Sequence, residues 1–250
     1  MLLNDVRPHD LLYLDIETVP QFATYEEQPE ALRALWDKKA ATLVPRGSTE
    51  APQPSENYQQ AGIYAEFGRI VCISVGMIVP EGGQEPHFRC KSFASTDERK
   101  LLVDFAKMLR LFERRKGARR CAHNGKEFDF PYIARRMLVH GLELPQSLRV
   151  AGKKPWEVNF VDTMDLWKFG DYKHYTSLNL LAYIFGIPSP KDDIDGSQVA
   201  DCYYRQHDLP RIATYCEKDV LTIAQLMLQL DGQPLIRPER VQHISDDDKI

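Results

Sequence analysis

Two acidic residues lie two positions apart at the end of an apolar run near the N-terminus. Residues 11–17 read LLYLDIE, so Asp15 and Glu17 follow residues that favour a buried strand. Alternate residues of a strand project from the same face, and neighbouring carboxylates are costly to bury unless a cation compensates them. The pair therefore indicates a metal site. If the strand ends before them, the same residues are solvated loop acids.

A third acid shares a helix face with a tyrosine near the C-terminus. Tyr215 and Asp219 are four positions apart in a segment whose apolar residues repeat at helical spacing, so both lie on one side of the predicted helix. An aspartate beside a core-facing stripe needs a partner. Taken alone, the pair is better explained by an exposed acid beside Lys218 and an ordinary packed aromatic.

A fourth acid follows a short predicted strand in the sequence NGKEFD, at 124–129. Asn-Gly favours a turn, and Asp129 is suited to cap a helix that begins at the next residue or two. This structural role does not exclude a chemical one. A capping aspartate would hold its carboxylate rigidly at the edge of a site.

These residues lie on elements that alternate between strands and helices. We predict strands at 11–17, 69–79, 86–94 and 119–123, and helices at 26–40, 96–116 (with Thr96 as N-cap), 130–140, 163–168, 177–185, 196–206 and 209–230. The order indicates an α/β fold: a mixed central β-sheet flanked by helices, with a helical C-terminal half. Residues 1–230 are expected to form one domain with a loop insertion at about 42–60, followed by a loosely held polar tail at 231–250.

Composition excludes several classes of protein. The 250 residues are 43% hydrophobic and 27% charged, which is typical of a folded globular chain. The longest apolar run is too short to span a membrane, and no secretory signal is visible. Five cysteines without CxxC spacing favour reduced thiols and a cytoplasmic location. A net charge of −4 argues against binding nucleic acid by bulk charge, so any such site must be local or built around metal ions.

In combination, the three motifs resemble those of the DEDD superfamily of 3′–5′ exonucleases. DIET at 15–18 is similar to the first motif, NGKEFD at 124–129 to the second and YCEKD at 215–219 to the third, in the tyrosine-bearing (DEDDy) form. The resemblance is strongest to the proofreading exonuclease domain of family B DNA polymerases, and it spans about residues 11–230. It implies a ribonuclease-H-like fold.

The resemblance also implies a role for each site residue. Asp15 would bridge two divalent cations, Mg²⁺ or Mn²⁺, with Glu17 and Asp219 completing one metal site and Asp129 supporting the other through water. Tyr215 would orient the attacking water, because a phenol with an ordinary pKa of about 10 is a poor general base. The substrate contacts implied are the 3′ hydroxyl near Ile16 and Thr18, a hydrogen bond from Asn124 and stacking on Phe128.

The implied reaction is hydrolysis of single-stranded nucleic acid from its 3′ end, releasing nucleoside 5′-monophosphates. DNA is preferred over RNA only because the resemblance is to polymerase domains. Two alternatives stay open: an exoribonuclease, and a non-catalytic nucleic-acid-binding module on the same fold. A basic cluster at 110–120 is either a path for phosphates or a solvated helix face. Protein partners and the oligomeric state are not predictable from the sequence.

Overall fold

A six-stranded mixed sheet forms the centre of the described chain. The computed structural model describes residues 6–44, 47, 52–81, 84–171, 175–188 and 194–244. The strands are β1 (Leu11–Pro20), β2 (Gly68–Glu81), β3 (Gln84–Ala94), β4 (Arg119–Ala122), β5 (Phe160–Asp162) and β6 (Val241–His243). They lie in the order β5-β4-β1-β2-β3-β6, in which β2 is antiparallel to β1 and β3 and the other pairs are parallel. This confirms the predicted mixed sheet.

Helices cover both faces of the sheet. They are α1 (Glu30–Ala40), α2 (Glu98–Phe112), α3 (Asp129–Val139), α4 (Thr163–Lys168), α5 (Leu178–Ile184), α6 (Val199–Asp201) and α7 (Leu209–Leu230). A π-helical turn, Cys202–Gln206, continues α6. Mixed strands with flanking helices and a largely helical C-terminal half make up the ribonuclease-H-like fold that the resemblance implies. None of the helices in the described ranges combines the length and the apolar character that a membrane span requires.

The two faces of β1 belong to different layers of the core. Leu12, Leu14 and Ile16 pack in the cluster that includes α2 and α3. Leu11 and Tyr13 pack in the cluster that includes α7. Because side chains alternate along a strand, Asp15 and Glu17 continue the row that faces α7. The strand pattern thus directs both acids towards the helix that carries the third motif.

Several predicted boundaries differ from the structure. The second long helix begins at Glu98, and its N-cap is Asp97, whose side chain accepts a hydrogen bond from the Lys100 amide; the prediction of Thr96 was wrong. Helix α3 begins at Asp129 itself, with Phe128 at the N-cap position and no side-chain cap. Asp129 is therefore the first residue of the helix, and its carboxylate does not serve as the cap.

The segment after α7 is more ordered than its polar sequence indicates. The side-chain amide of Gln225 bonds both backbone groups of Ile236, at 2.7 and 2.8 Å, and Ile236 is buried. Residues 241–243 then form β6 beside β3. The expectation of a loosely held tail was wrong for 231–244, and 245–250 lie outside the described residues.

The predicted loop insertion is irregular but anchored where it is described. The Trp36 indole donates to the Pro54 carbonyl at 2.8 Å, and Tyr58 is buried against the Trp36 ring. A 3₁₀ helix, Tyr58–Ile63, leads from the insertion into β2. Residues 45–46 and 48–51 of the insertion lie outside the described part of the chain.

Candidate metal centre and active site

The first two acids sit next to an irregularity in the sheet. In the pairing of β1 with β2, Glu17 is opposite Cys72 whereas Thr18 is opposite Ile70, so the register shifts between Glu17 and Thr18. Such bulges bend a strand and redirect its side chains, and they are common beside active sites. Glu17 is only 8% exposed. The local geometry therefore buries a carboxylate at the carboxyl end of β1.

Helix α7 brings a thiol and a third acid to this pair. The Cys216 Sγ lies 3.4 Å from the carbonyl oxygen and 3.5 Å from a carboxylate oxygen of Asp15. Ligand atoms of Asp15, Glu17 and Cys216 lie within 4.8 Å of one another. Asp219, one helical turn beyond Tyr215, is close enough that its negative charge raises the pKa of both Asp15 and Glu17.

The fourth acid, Asp129, begins α3, which packs on the face of the sheet opposite α7. The turn that follows β4 positions it. Asp162 accepts hydrogen bonds from the Asn124 amide at 2.9 Å and the Lys126 amide at 3.0 Å, which hold this turn in place. Asp162 also caps α4 by accepting from Met164. Asp129, at the end of the turn, is 3% exposed.

Gly125 makes this close packing possible. A Cβ at this position would lie 2.3 Å from the Ala122 Cβ and 3.3 Å from Asp129 Oδ2. A side chain there would push against the end of β4 and against the carboxylate itself. The glycine of the NGKEFD motif thus allows the turn to bring Asp129 towards Asp15 and Glu17 of β1.

Asp15, Glu17 and Asp129 are electrostatically strained, and the charge of Asp219 contributes to the strain of each. Burial, followed by the charges of Asp129, Glu17 and Asp219, raises the pKa of Asp15 well above its ordinary value. Burial and the charge of Asp219 do the same to the pKa of Glu17. Burial raises the pKa of Asp129 to about 7, with Asp162 and Asp219 adding to the effect against opposing backbone hydrogen bonds. A divalent cation would remove this strain by replacing repulsion with attraction.

The residues present fit hard divalent cations. The Asp129 Oδ1 atom is buried and makes no hydrogen bond. Buried carboxylate oxygens are normally satisfied, so this one is available as a ligand or as the acceptor of a metal-bound water. Carboxylate oxygens are the donors that Mg²⁺ and Mn²⁺ prefer. Burial raises the pKa of the Cys216 thiol, so at neutral pH it is a protonated donor to Asp15 rather than a thiolate ligand.

Cys216 is the residue of the site that the sequence reasoning missed. It lies between Tyr215 and Asp219 within the YCEKD motif, but a cysteine inside a predicted helix is typical of core packing. Helical spacing does place it on the face that carries Asp219. The signal was therefore present in the motif, although the contact with Asp15 depends on how α7 crosses β1.

Tyr215 points towards the acids. Its hydroxyl donates a hydrogen bond to Asp219. Burial, followed by the charges of Asp219, Glu17 and Asp15, raises the pKa of the phenol well above its ordinary value. The hydroxyl therefore stays protonated through the neutral range. It can hold a water molecule in position but cannot take a proton from it.

The four expected substrate contacts differ in accessibility. Ile16 is buried on the opposite face of β1, so only its backbone can face a ligand. Thr18 is half-buried, with its hydroxyl in hydrogen-bonding contact with Tyr132. Asn124 has a left-handed backbone (φ 62°) and a buried Oδ1 without a hydrogen-bond partner. Phe128 is half-buried, with its ring centroid 5.4 Å from that of Tyr132.

The basic cluster lies away from the acids. Arg119 pairs with Leu11 at the beginning of β1, about 13 to 20 Å along the strand from the acid pair. Arg110 donates to the carbonyl of Glu143, and Arg120 is buried over the Phe160 ring. These side chains have structural contacts at the opposite end of the strands. Their placement favours the structural interpretation over a path for phosphates.

A ribonuclease-H-like sheet with a buried acidic cluster at the carboxyl end of its first strand defines the class of the molecule. Residues 63–232 match the family model described as "Predicted 3'-5' exonuclease related to the exonuclease domain of PolB". The chain belongs to this family. The match includes Asp129, Tyr215 and Asp219, while Asp15 and Glu17 precede it.

One similar solved structure is the family B DNA polymerase of the hyperthermophilic archaeon Pyrobaculum calidifontis. The identity is 16% and the TM-score 0.49, and the similarity covers 87% of this chain and 24% of the polymerase chain. This chain thus corresponds to about a quarter of the length of the polymerase. No curated protein sequence matches the chain.

Proposed function

We propose that the protein is a metal-dependent 3′–5′ exonuclease that removes nucleoside 5′-monophosphates from single-stranded DNA. The observation that carries the proposal is the convergence of Asp15, Glu17, Asp129 and Asp219: burial raises the pKa of the first three acids, and the charge of Asp219 adds to each of these shifts. Family membership supports the reaction class. A cluster of four acids lowers the stability of the folded protein. Cation binding for phosphodiester chemistry explains why the cluster is present.

In the proposed mechanism, two divalent cations would be held by the four acids: Asp15 would contribute to both sites, Glu17 and Asp219 to one of them, and Asp129 to the other. When bound, Mg²⁺ or Mn²⁺ supplies a hydroxide-generating water and positive charge for the oxygens of the scissile phosphate. Tyr215 holds the attacking water by a hydrogen bond. Hydrolysis adds that water to phosphorus and breaks the bond to the 3′ oxygen of the preceding nucleotide, so a 5′-monophosphate leaves and a new 3′ hydroxyl remains.

The substrate is positioned by groups around the cluster. The backbone at Ile16 and the Thr18 hydroxyl receive the terminal 3′ hydroxyl. Asn124 donates a hydrogen bond to the terminal nucleotide, and the accessible side of Phe128 stacks on a base. The single-stranded form is proposed because only an unpaired end can bring its terminal phosphodiester to a buried cluster.

The test is digestion of 5′-labelled single-stranded DNA and RNA of the same sequence, with Mn²⁺ present. We expect the DNA to shorten by single nucleotides from the 3′ end with release of deoxynucleoside 5′-monophosphates, and circular single-stranded DNA to stay intact. Asp15→Asn should abolish digestion, whereas Asp165→Asn, which changes an exposed acid of α4, should not.

The other outcomes separate the alternatives. If RNA shortens and DNA does not, the protein is an exoribonuclease. If neither polymer shortens but both bind, and binding survives Asp15→Asn, the protein is a non-catalytic binding module. Cleavage of the circular substrate would contradict the requirement for an end.

A further inference from the structure

A second group of side chains that could ligate a metal lies where α7 packs on β3, near the β3–β6 edge of the sheet. It consists of Cys90 from β3, Glu217 from α7 and His243 from β6, and one ligand atom of each lies within 4.8 Å of the others. The three residues are widely separated in sequence and come from three elements. Glu217 lies within the YCEKD motif, between Tyr215 and Asp219, whereas Cys90 and His243 lie outside the three exonuclease motifs.

Two of the three ligand distances in this group match those around a tetrahedral zinc ion. The Cys90 Sγ lies 3.4 Å from His243 Nδ1 and 3.8 Å from Glu217 Oε2. Two ligands of a tetrahedral Zn²⁺, one sulfur and one nitrogen or oxygen, are about 3.5 Å apart. The remaining pair, His243 Nδ1 and Glu217 Oε2, is in direct hydrogen-bonding contact and must separate by roughly 1 Å to share an ion.

The surroundings allow that adjustment while holding the other ligands. Cys90 is buried, whereas the His243 side chain is 63% exposed and can rotate without disturbing the core. The second oxygen of Glu217, Oε1, accepts a hydrogen bond of 2.7 Å from Ser92. A partner of this kind fixes the orientation of a ligating carboxylate. The exposed side of His243 leaves a fourth position open to water.

We propose that Cys90, Glu217 and His243 form a zinc site that attaches β6 to β3 and α7. The donor set selects the ion: sulfur and imidazole ligands favour Zn²⁺ over Mg²⁺ or Mn²⁺, which prefer the all-oxygen cluster near Asp15. Zinc binding would reinforce a three-residue strand whose side chains are exposed or half-buried. The site is independent of the exonuclease proposal, because it shares no ligand with the acidic cluster.

The test is titration of the full-length, metal-free protein with Co²⁺ in excess Mg²⁺, which occupies the oxygen ligands. Co²⁺ replaces Zn²⁺ and reports a bound thiolate by its charge-transfer absorption. We expect a band that saturates at one equivalent and disappears when Zn²⁺ is added. Cys90→Ser and His243→Ala should each weaken binding by at least about a hundredfold, and Ser92→Ala by about tenfold.

The chain offers a matched control, since Cys216 is a second cysteine that lies beside carboxylates. Cys216→Ser should leave the band unchanged. His207→Asn, at an exposed left-handed position, controls for loss of a histidine. The absence of a band in wild-type protein, a band that survives both Cys90→Ser and His243→Ala, or a band that is lost with Cys216→Ser would overturn the proposal. His243→Ala keeps the test decisive if Cys90→Ser fails to fold.

Discussion

Replacing Asp129 by asparagine is expected to stabilise the metal-free protein while abolishing its activity. The pKa of this carboxyl is raised from 3.8 to about 7 by burial and neighbouring acids. A carboxyl whose pKa is higher in the folded than in the unfolded state lowers the free energy of unfolding progressively as the pH rises. The decrease runs from the pKa of the unfolded state to that of the folded state, here from about 4 to about 7. At about 1.4 kcal/mol per pH unit, the ionised carboxylate costs about 4 kcal/mol above pH 7.

The neutral amide avoids this cost. We therefore expect Asp129→Asn to raise the free energy of unfolding by about 2 to 4 kcal/mol at pH 8, and by less than half of that at pH 5. The measurement is urea denaturation in EDTA at the two pH values. Added Mg²⁺ should stabilise the wild-type protein more than the variant, because the variant lacks one of the charges that attract the ion.

Asp165→Asn is the matched control, since it removes an exposed acid close to the same turn. Asp165 pairs with Lys126 and Lys168 at the surface, and such pairs contribute at most about 1 kcal/mol to stability. Its stability should change little and should not depend on pH between 5 and 8. The reasoning is refuted if Asp129→Asn is less stable than the wild type at both pH values, or if its effect does not change with pH.

Three further substitutions test separate parts of the account. Tyr215→Phe should lower the turnover rate by about ten- to a hundredfold without moving the alkaline limb of the pH–rate profile, because the phenol stays protonated. A shifted limb would contradict the conclusion that the phenol is neutral throughout the reaction. Gly125→Ala should reduce activity at least tenfold in nuclease assays and should weaken Mg²⁺ binding measured by calorimetry. The reason is that its Cβ would displace the turn that carries Asp129. Unchanged kinetics would show that the turn can adapt. Glu98→Gln should lower the free energy of unfolding by about 3 kcal/mol in urea denaturation, because it leaves the buried Arg136 guanidinium without its carboxylate partner. A decrease of less than about 1 kcal/mol would contradict this role of the ion pair.

The local patterns of the sequence were sufficient to predict β1 to β4 and the faces of the site residues, but they did not predict β5 or β6. Period-two alternation places Asp15 and Glu17 on one side of β1, and a four-residue spacing places Tyr215 and Asp219 on one side of α7. Both facts follow from backbone geometry alone. The resemblance added the expectation that these elements meet, together with the turn that carries Asp129.

Features that depend on long-range contacts were not accessible in the same way. Strand β6 has three residues with exposed or half-buried side chains, so it carries no hydrophobic pattern, and its pairing with β3 is made by backbone groups. The Cys90–Glu217–His243 group has no metal-motif spacing because its members come from three elements. The helix cap at Asp97 was missed because Thr96 and Asp97 are adjacent and both are good capping residues.

The central claim is that four acids from β1, α3 and α7 hold a pair of divalent cations. The most direct measurement is anomalous diffraction from a crystal soaked in Mn²⁺. We predict two anomalous peaks about 4 Å apart, both within bonding distance of Asp15, with Asp219 beside one and Asp129 near the other. The account is contradicted if a saturating soak leaves Asp15 without a bound ion while Mn²⁺ occupies other parts of the protein.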